Sequence, residues 1–148
     1  MLKKMNEKKN NKGFSLVELI VVILIMAVLA VAIAPQVMRW VNESRKSSDI
    51  NNYDSLVSIC QLALTDEDAY SALTSSHGYN LVVGTSNTTL YTGETGTTAT
   101  ANTDNFYKAL DKLDPNWTKV KVQASGITSY QITVTSAGAV SSTNPPAR

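Results

Sequence analysis

Residue types that carry chemistry are scarce in this chain. Cys60 is the only cysteine among 148 residues, so no disulfide can close within one molecule. His77 is the only histidine. No cysteine or carboxylate cluster at metal-ligand spacing accompanies it, and it reads as a solvated loop residue. No Ser/His/Asp or Cys/His set has supporting context, and no glycine-rich phosphate loop is present. The sequence therefore predicts neither an enzyme nor a cofactor. Glycine and proline are missing from residues 39–64, and charge is missing from Leu19 through Met38.

The uncharged stretch is the main feature of the chain. From Leu19 to Met38 only Pro35 and Gln36 interrupt an apolar run. Twenty helical residues rise about 30 Å, which matches the hydrocarbon core of a bilayer. Residues 14–38 can therefore span a membrane as a helix. In front of the run stand Lys3, Lys4, Lys8, Lys9 and Lys12, against one acid, Glu7. That bias keeps the N-terminus on the cytoplasmic side and sends the rest of the chain across. The formal net charge of +1 comes from this basic start. After residue 13 there remain eight basic and eleven acidic side chains, about −3. A weakly acidic outer part gives no electrostatic reason to expect nucleic-acid binding.

Glu18 breaks the pattern of a plain anchor. A carboxylate at the edge of the hydrocarbon costs a few kcal/mol unless it is paired or neutralised, which marks it as a functional candidate. Its bland reading is a charge in the headgroup layer. Its setting is Lys12-Gly13-Phe14-Ser15-Leu16-Val17-Glu18, followed by the apolar run. This arrangement resembles the processing site of type IV pilins and pseudopilins. The resemblance covers about 25 residues and rests on a basic leader, Gly-Phe, an acid at fixed offset and a long apolar helix.

The resemblance implies that a prepilin peptidase cuts between Gly13 and Phe14 and that Phe14 becomes an N-methylated terminus. It implies an assembly role for Phe14, Glu18 and Pro35. Glu18 takes the place of the family's signature acid and Pro35 that of its helix-kink proline. It further implies a homopolymeric helical filament, with an assembly ATPase and a platform protein as partners. The precursor would lie in the cytoplasmic membrane with its head outside, and the product in an extracellular pilus serving adhesion, aggregation or motility. Many Gram-negative pilins carry a cystine that this chain lacks, which together with the Lys/Asn-rich leader points to a Gram-positive source. Many relatives also carry a glycine in mid-helix where this chain has Ala27 and other residues. Any loosening of the helix is therefore expected only around Pro35.

Competing readings of the N-terminus are a secretory signal peptide and an ordinary membrane anchor. The basic region and the apolar run are both long for a signal peptide, although Ala30, Ala32 and Ala34 offer a small-residue pattern. A plain anchor has no use for Glu18. Within the family the alternatives are a major pilin, a minor pilin, or a pseudopilin of a secretion or DNA-uptake machine. A non-polymerising membrane-anchored binding module is the reading from another class.

Residues 39–64 continue the helix with a different pattern. Ile50, Tyr53, Val57, Cys60 and Leu64 recur at spacings of three and four, with Leu56 and Ala63 beside them. This is one apolar stripe, with Asn42, Glu43, Arg45, Lys46, Asp49, Asn52 and Asp54 elsewhere around the helix. The stripe is the expected packing face for a globular head. Within it Cys60 reads as a small buried residue, or else as a free thiol open to linkage between molecules.

Residues 65–148 are expected to form that head. Thr65 is expected to cap a short helix of acidic first turn that stops by His77-Gly78. Short strands are expected at 79–83 and 88–91, within and beside a variable loop at 84–103. The Gly/Thr/Ala-rich residues 93–102 read as exposed filler or as acceptors of O-linked sugars, and as the place for partner contacts. Asp104 caps a helix at 104–113, ended by Pro115. Trp117, Val120 and Val122, then Tyr130, Ile132 and Val134, alternate with polar residues and predict a β-meander over 117–141. Residues 141–148 are expected to be a mobile tail. The expected fold class is α+β, with a long N-terminal helix packed on a small antiparallel sheet.

Overall fold

The computed structural model describes residues 14–93, 97–100 and 104–146. Lys12 and Gly13 lie outside the described residues, as does part of the threonine-rich stretch. The fold is α+β: a long N-terminal helix and a five-stranded antiparallel sheet. Two compact units divide the chain, residues 1–39 and residues 40–148. One helix, α1 (Leu16–Ala63), contributes to both.

In the first unit α1 is apolar on all sides, and every described residue is exposed. Its β-branched valines and isoleucines are middling helix formers in water. In lipid the helix is favoured regardless, because a backbone with no water must satisfy its own N–H and C=O groups. Pro35 lies inside α1. The helix continues through it, although the ring removes one donor from the backbone ladder.

In the second unit the sheet is ordered β3-β2-β1-β4-β5. Its strands are β1 (Tyr79–Val83), β2 (Thr88–Thr92), β3 (Thr97–Thr98), β4 (Tyr130–Val134) and β5 (Val140–Thr143). Tyr79, Leu81 and Val83 alternate inward with Asn80 and Val82 between them, as a sheet buried on one face requires. In the register Leu81 stands opposite Leu90 on one side and Ile132 on the other. Asn80 clips the outer face: its Nδ2 donates to the Gly93 carbonyl at 2.8 Å, and its Oδ1 accepts from Thr133 Oγ1 at 2.8 Å.

Two short helices complete the head. In α2 (Glu67–Ser76) the cap is Asp66 rather than Thr65: the Asp66 carboxylate accepts from the amides of Asp68 and Ala69. The helix closes on His77, left-handed at φ 58° and exposed. Gly78 follows at φ 93°, where a Cβ would meet the Val134 carbonyl oxygen, so only glycine lets the chain turn directly into β1. In α3 (Asn105–Leu113) Asp104 caps as expected, accepting from Tyr107 N–H at 3.0 Å. Its other oxygen accepts from the Tyr79 hydroxyl at 2.7 Å, and the Tyr79 ring stacks on Phe106 at 4.6 Å. Trp117, Tyr79, Tyr130 and Phe106 are the largest fully buried side chains.

Three expectations change. Residues 117–122 are not a strand. Trp117–Lys119 is a 3-10 turn, because the Trp117 indole N–H reaches back to Asp111 Oδ1 at 2.9 Å and the ring meets Tyr107 edge-on. The partners of β4 are therefore β1 and β5, not 117–122. Within 84–103, β2 is the strand expected at 88–91, while Thr97–Thr98, in residues read as loop, forms the two-residue β3. The tail is not all free: β5 extends to Thr143, and Pro146 is buried.

The fourth change concerns the packing face of α1. Its fully buried positions are Asp49, Leu56, Cys60 and Ala63, while Ile50, Tyr53, Val57 and Leu64 are half-buried. The buried line shares Cys60 with the Ile50/Tyr53/Val57/Cys60/Leu64 stripe, whose Tyr53, Val57 and Leu64 pack against the core, but it centres on Leu56 and Ala63 and includes an acid. Asp49 is 0% exposed. Its carboxylate accepts from Gln123 N–H at 2.9 and 3.1 Å and from Ala124 N–H at 2.8 Å. Nearby, Asn42 Oδ1 accepts from Ser125 N–H at 2.9 Å. These amides would otherwise need a strand partner, since buried backbone donors must be paired. Asp49 takes them instead, while the amides of Lys119 and Val120 close the 3-10 turn and that of Val122 donates to the Gly84 carbonyl at 2.9 Å. Tyr130 lies beside this clasp, its ring edge-on to Tyr53 at 5.7 Å. Burial, with Asp49 nearby, pushes the Tyr130 phenol up from its ordinary range.

Asp49→Ala is expected to destabilise the head by about 3 kcal/mol, because charged hydrogen bonds are lost and buried amides are left unpaired. That lowers the melting midpoint by roughly 10–20 °C for a unit of this size. Near-ultraviolet circular dichroism of the detergent-solubilised chain during heating measures it. An unchanged midpoint contradicts the clasp.

Candidate processing and assembly helix

The first turn of α1 carries the only charge on its apolar half. Ser15 immediately precedes α1, and Glu18 lies in the first turn. A Glu18 carboxylate oxygen accepts from Ser15 N–H at 2.9 Å. This is one half of a capping box, in which an acid three residues into the helix satisfies an amide that has no partner of its own. The helix dipole favours the same placement, since the positive helix end attracts an anion. The S-x-x-E pattern at Ser15 to Glu18 was the sequence signal for this cap, and it escaped a reading centred on the cost of the charge.

Beyond Glu18 the helix presents a continuous apolar wall. Val28 is 70% exposed, Val31 76% and Met38 73%, and no described residue of this stretch is buried. Monomeric soluble proteins seldom leave more than a few hundred Å² of contiguous apolar surface uncovered. Among the described residues α1 is the one helix long and apolar enough to cross a membrane. Lys12 and Gly13 lie outside the described residues. Phe14 precedes the helix and is 85% exposed.

A model of the prokaryotic N-terminal methylation motif matches residues 8–34. The motif that this model describes is the class III signal peptide of type IV pilins. The match takes in Gly13, Phe14, Glu18 and most of the apolar run, and it stops before Pro35. No curated protein and no solved structure matches the chain. The motif supports a type IV pilin-like or pseudopilin protein and points to a structural role. It is consistent with processing by a prepilin peptidase and with anchoring in a membrane before assembly.

The other site candidates lie in the head. Cys60 joins its core, Tyr53, Val57 and Leu64 pack against it, and Ile50 is half-buried. Burial pushes the Cys60 thiol up to about 12, so it stays neutral at ordinary pH. A neutral thiol with no solvent exposure is a poor nucleophile, and Cys60 acts here as a small apolar side chain. Asp49 is the residue that sequence reasoning missed. Its signal was the spacing Asp49, Tyr53, Leu56, Cys60, Ala63, which alternates four and three and continues the buried line onto an acid.

Proposed function

We propose that this chain is a pilin, the major structural subunit of an extracellular type IV pilus. The observation that carries the reading is the uncovered apolar half of α1 with Glu18 at its start. Lipid covers that surface in the precursor, and copies of the same helix cover it in the filament. Cleavage between Gly13 and Phe14 converts an amide into a charged amine, which is then N-methylated. When helices pack side by side, Glu18 of one subunit meets the Phe14 amine of a neighbour. Apolar surfaces adhere without direction, whereas a buried charge left unmatched costs several kcal/mol. The pair therefore sets the stagger between subunits. Pro35 lets the helix adjust where its backbone ladder is already broken. The mechanical work falls to an assembly ATPase and a platform protein, and the finished filament serves adhesion, aggregation or surface motility.

The rival reading is a pseudopilin or minor pilin. The matched stretch ends at residue 34, and the motif is common to both kinds of subunit. The same cleavage and the same pairing apply in either case, and the difference lies in abundance and filament length.

Gly13→Ala is expected to block processing, leaving a membrane-bound chain of precursor mass on immunoblots. A band of mature size from that variant would place the cut elsewhere. Glu18→Gln is expected to leave cleavage intact and to reduce sedimentable filament roughly tenfold or more, since losing one partner of a buried pair exceeds the 1.4 kcal/mol of a tenfold change. Normal filament yield from Glu18→Gln would overturn the stagger role.

A further inference from the structure

Trp40 has no place in the head core. It is 60% exposed, while the chain's other tryptophan, Trp117, is fully buried. Trp40 is the largest of the exposed apolar side chains in the second unit, and Val41 beside it is 43% exposed. An indole with an apolar body and one N–H donor suits the boundary between hydrocarbon and water, where tryptophan is enriched in membrane proteins. Two residues before Trp40 the uncharged run ends at Met38. Around it the composition turns basic: Arg39, Arg45 and Lys46 stand against one acid, Glu43, in residues 39–46. Arg45 and Lys46 are exposed, and their long arms can reach anionic headgroups from any side of a helix that crosses the interface.

The spacing supplies an independent argument. Trp40 lies twenty-two positions after Glu18. At the standard helical rise that is about 33 Å, close to the thickness of a bilayer core. With Trp40 at the outer boundary, Glu18 comes to the inner one, and Gly13-Phe14 emerges on the cytoplasmic side. We propose that Trp40, with Arg45 and Lys46 about a turn and a half further along the helix, docks on the outer headgroup layer and sets the depth of the precursor helix. This inference rests on the reading of α1 as a membrane span. Its surface continues that span, and its positive charge complements anionic lipid. Trp40 is a positioning residue: it acts on the processing site by fixing where the helix stops.

Fluorescence depth measurement tests it on the full-length precursor in vesicles of phosphatidylcholine and phosphatidylglycerol. Lipids spin-labelled near the headgroup are expected to quench Trp40 several-fold more than lipids labelled near the bilayer centre. Trp40→Phe is expected to remove the lipid-quenchable component and leave the Trp117 emission. Three results overturn the proposal: equal quenching by both labels, stronger quenching by the deep label, or quenching of Trp40 only by aqueous acrylamide. Extraction of the vesicles with alkaline carbonate separates the two levels of failure. A chain that washes off denies the membrane span itself. A chain that stays while Trp40 remains in water denies only the docking of Trp40.

Discussion

An apolar helical surface that its own chain leaves bare is the constraint on which the molecule turns. From Leu16 to Met38 the side chains of α1 are exposed on every side, and almost all are hydrocarbon. Hydrophobic burial is worth about 25 cal/mol for each Å² removed from water, so such a surface must find a cover. A bilayer is one cover and a bundle of like helices is another. On the proposed reading the protein uses both in turn, and Glu18 marks the difference between them. In the isolated chain that carboxylate caps its own helix through Ser15 N–H. A carboxylate has lone pairs to spare for a second donor. The cap and a pairing with the Phe14 amine of a neighbour are therefore compatible, and the helix start remains satisfied before and after assembly.

The second half of α1 solves a different problem with the same secondary structure. One of its faces packs into the head core, and the exposed remainder is mostly polar, with Trp40, Val41 and Leu62 as exceptions. Apolar packing through Leu56, Cys60 and Ala63 holds the helix to the head without fixing its register. Asp49 adds that direction. A buried carboxylate bound by the amides of Gln123 and Ala124 tolerates little sliding or rotation, because any shift leaves charge and donors unpaired. With no disulfide possible in this chain, this clasp ties α1 to a segment more than seventy residues away.

Much of this was legible in the sequence, for reasons that differ by element. The apolar run, the acid at its start and the capped helix after Asp104 follow from local rules and appear where expected. So do β1 and β4, whose alternation matches a sheet with one buried face. The misreadings have a common cause. Trp117, Val120 and Val122 alternate like a strand, yet the Trp117 indole bonds Asp111 on α3, the amides of Lys119 and Val120 close a 3-10 turn, and that of Val122 goes to the Gly84 carbonyl. Asp49 was placed on the wet face because acids usually are. Its burial depends on two amides 74 and 75 residues away, which no window of sequence reveals. The capping role of Glu18 was local and readable, but its position in an apolar run drew attention to cost rather than to geometry.

The central claim is that the bare helix is released by a cut after Gly13 and then covered by copies of itself. N-terminal sequencing, with intact mass, of protein sheared from the cell surface addresses it most directly. The account predicts a chain that begins at N-methylated Phe14 and sediments as filaments. An uncut chain beginning at Met1 and confined to membranes would contradict it, leaving a plain anchor with an acid that has no partner to meet.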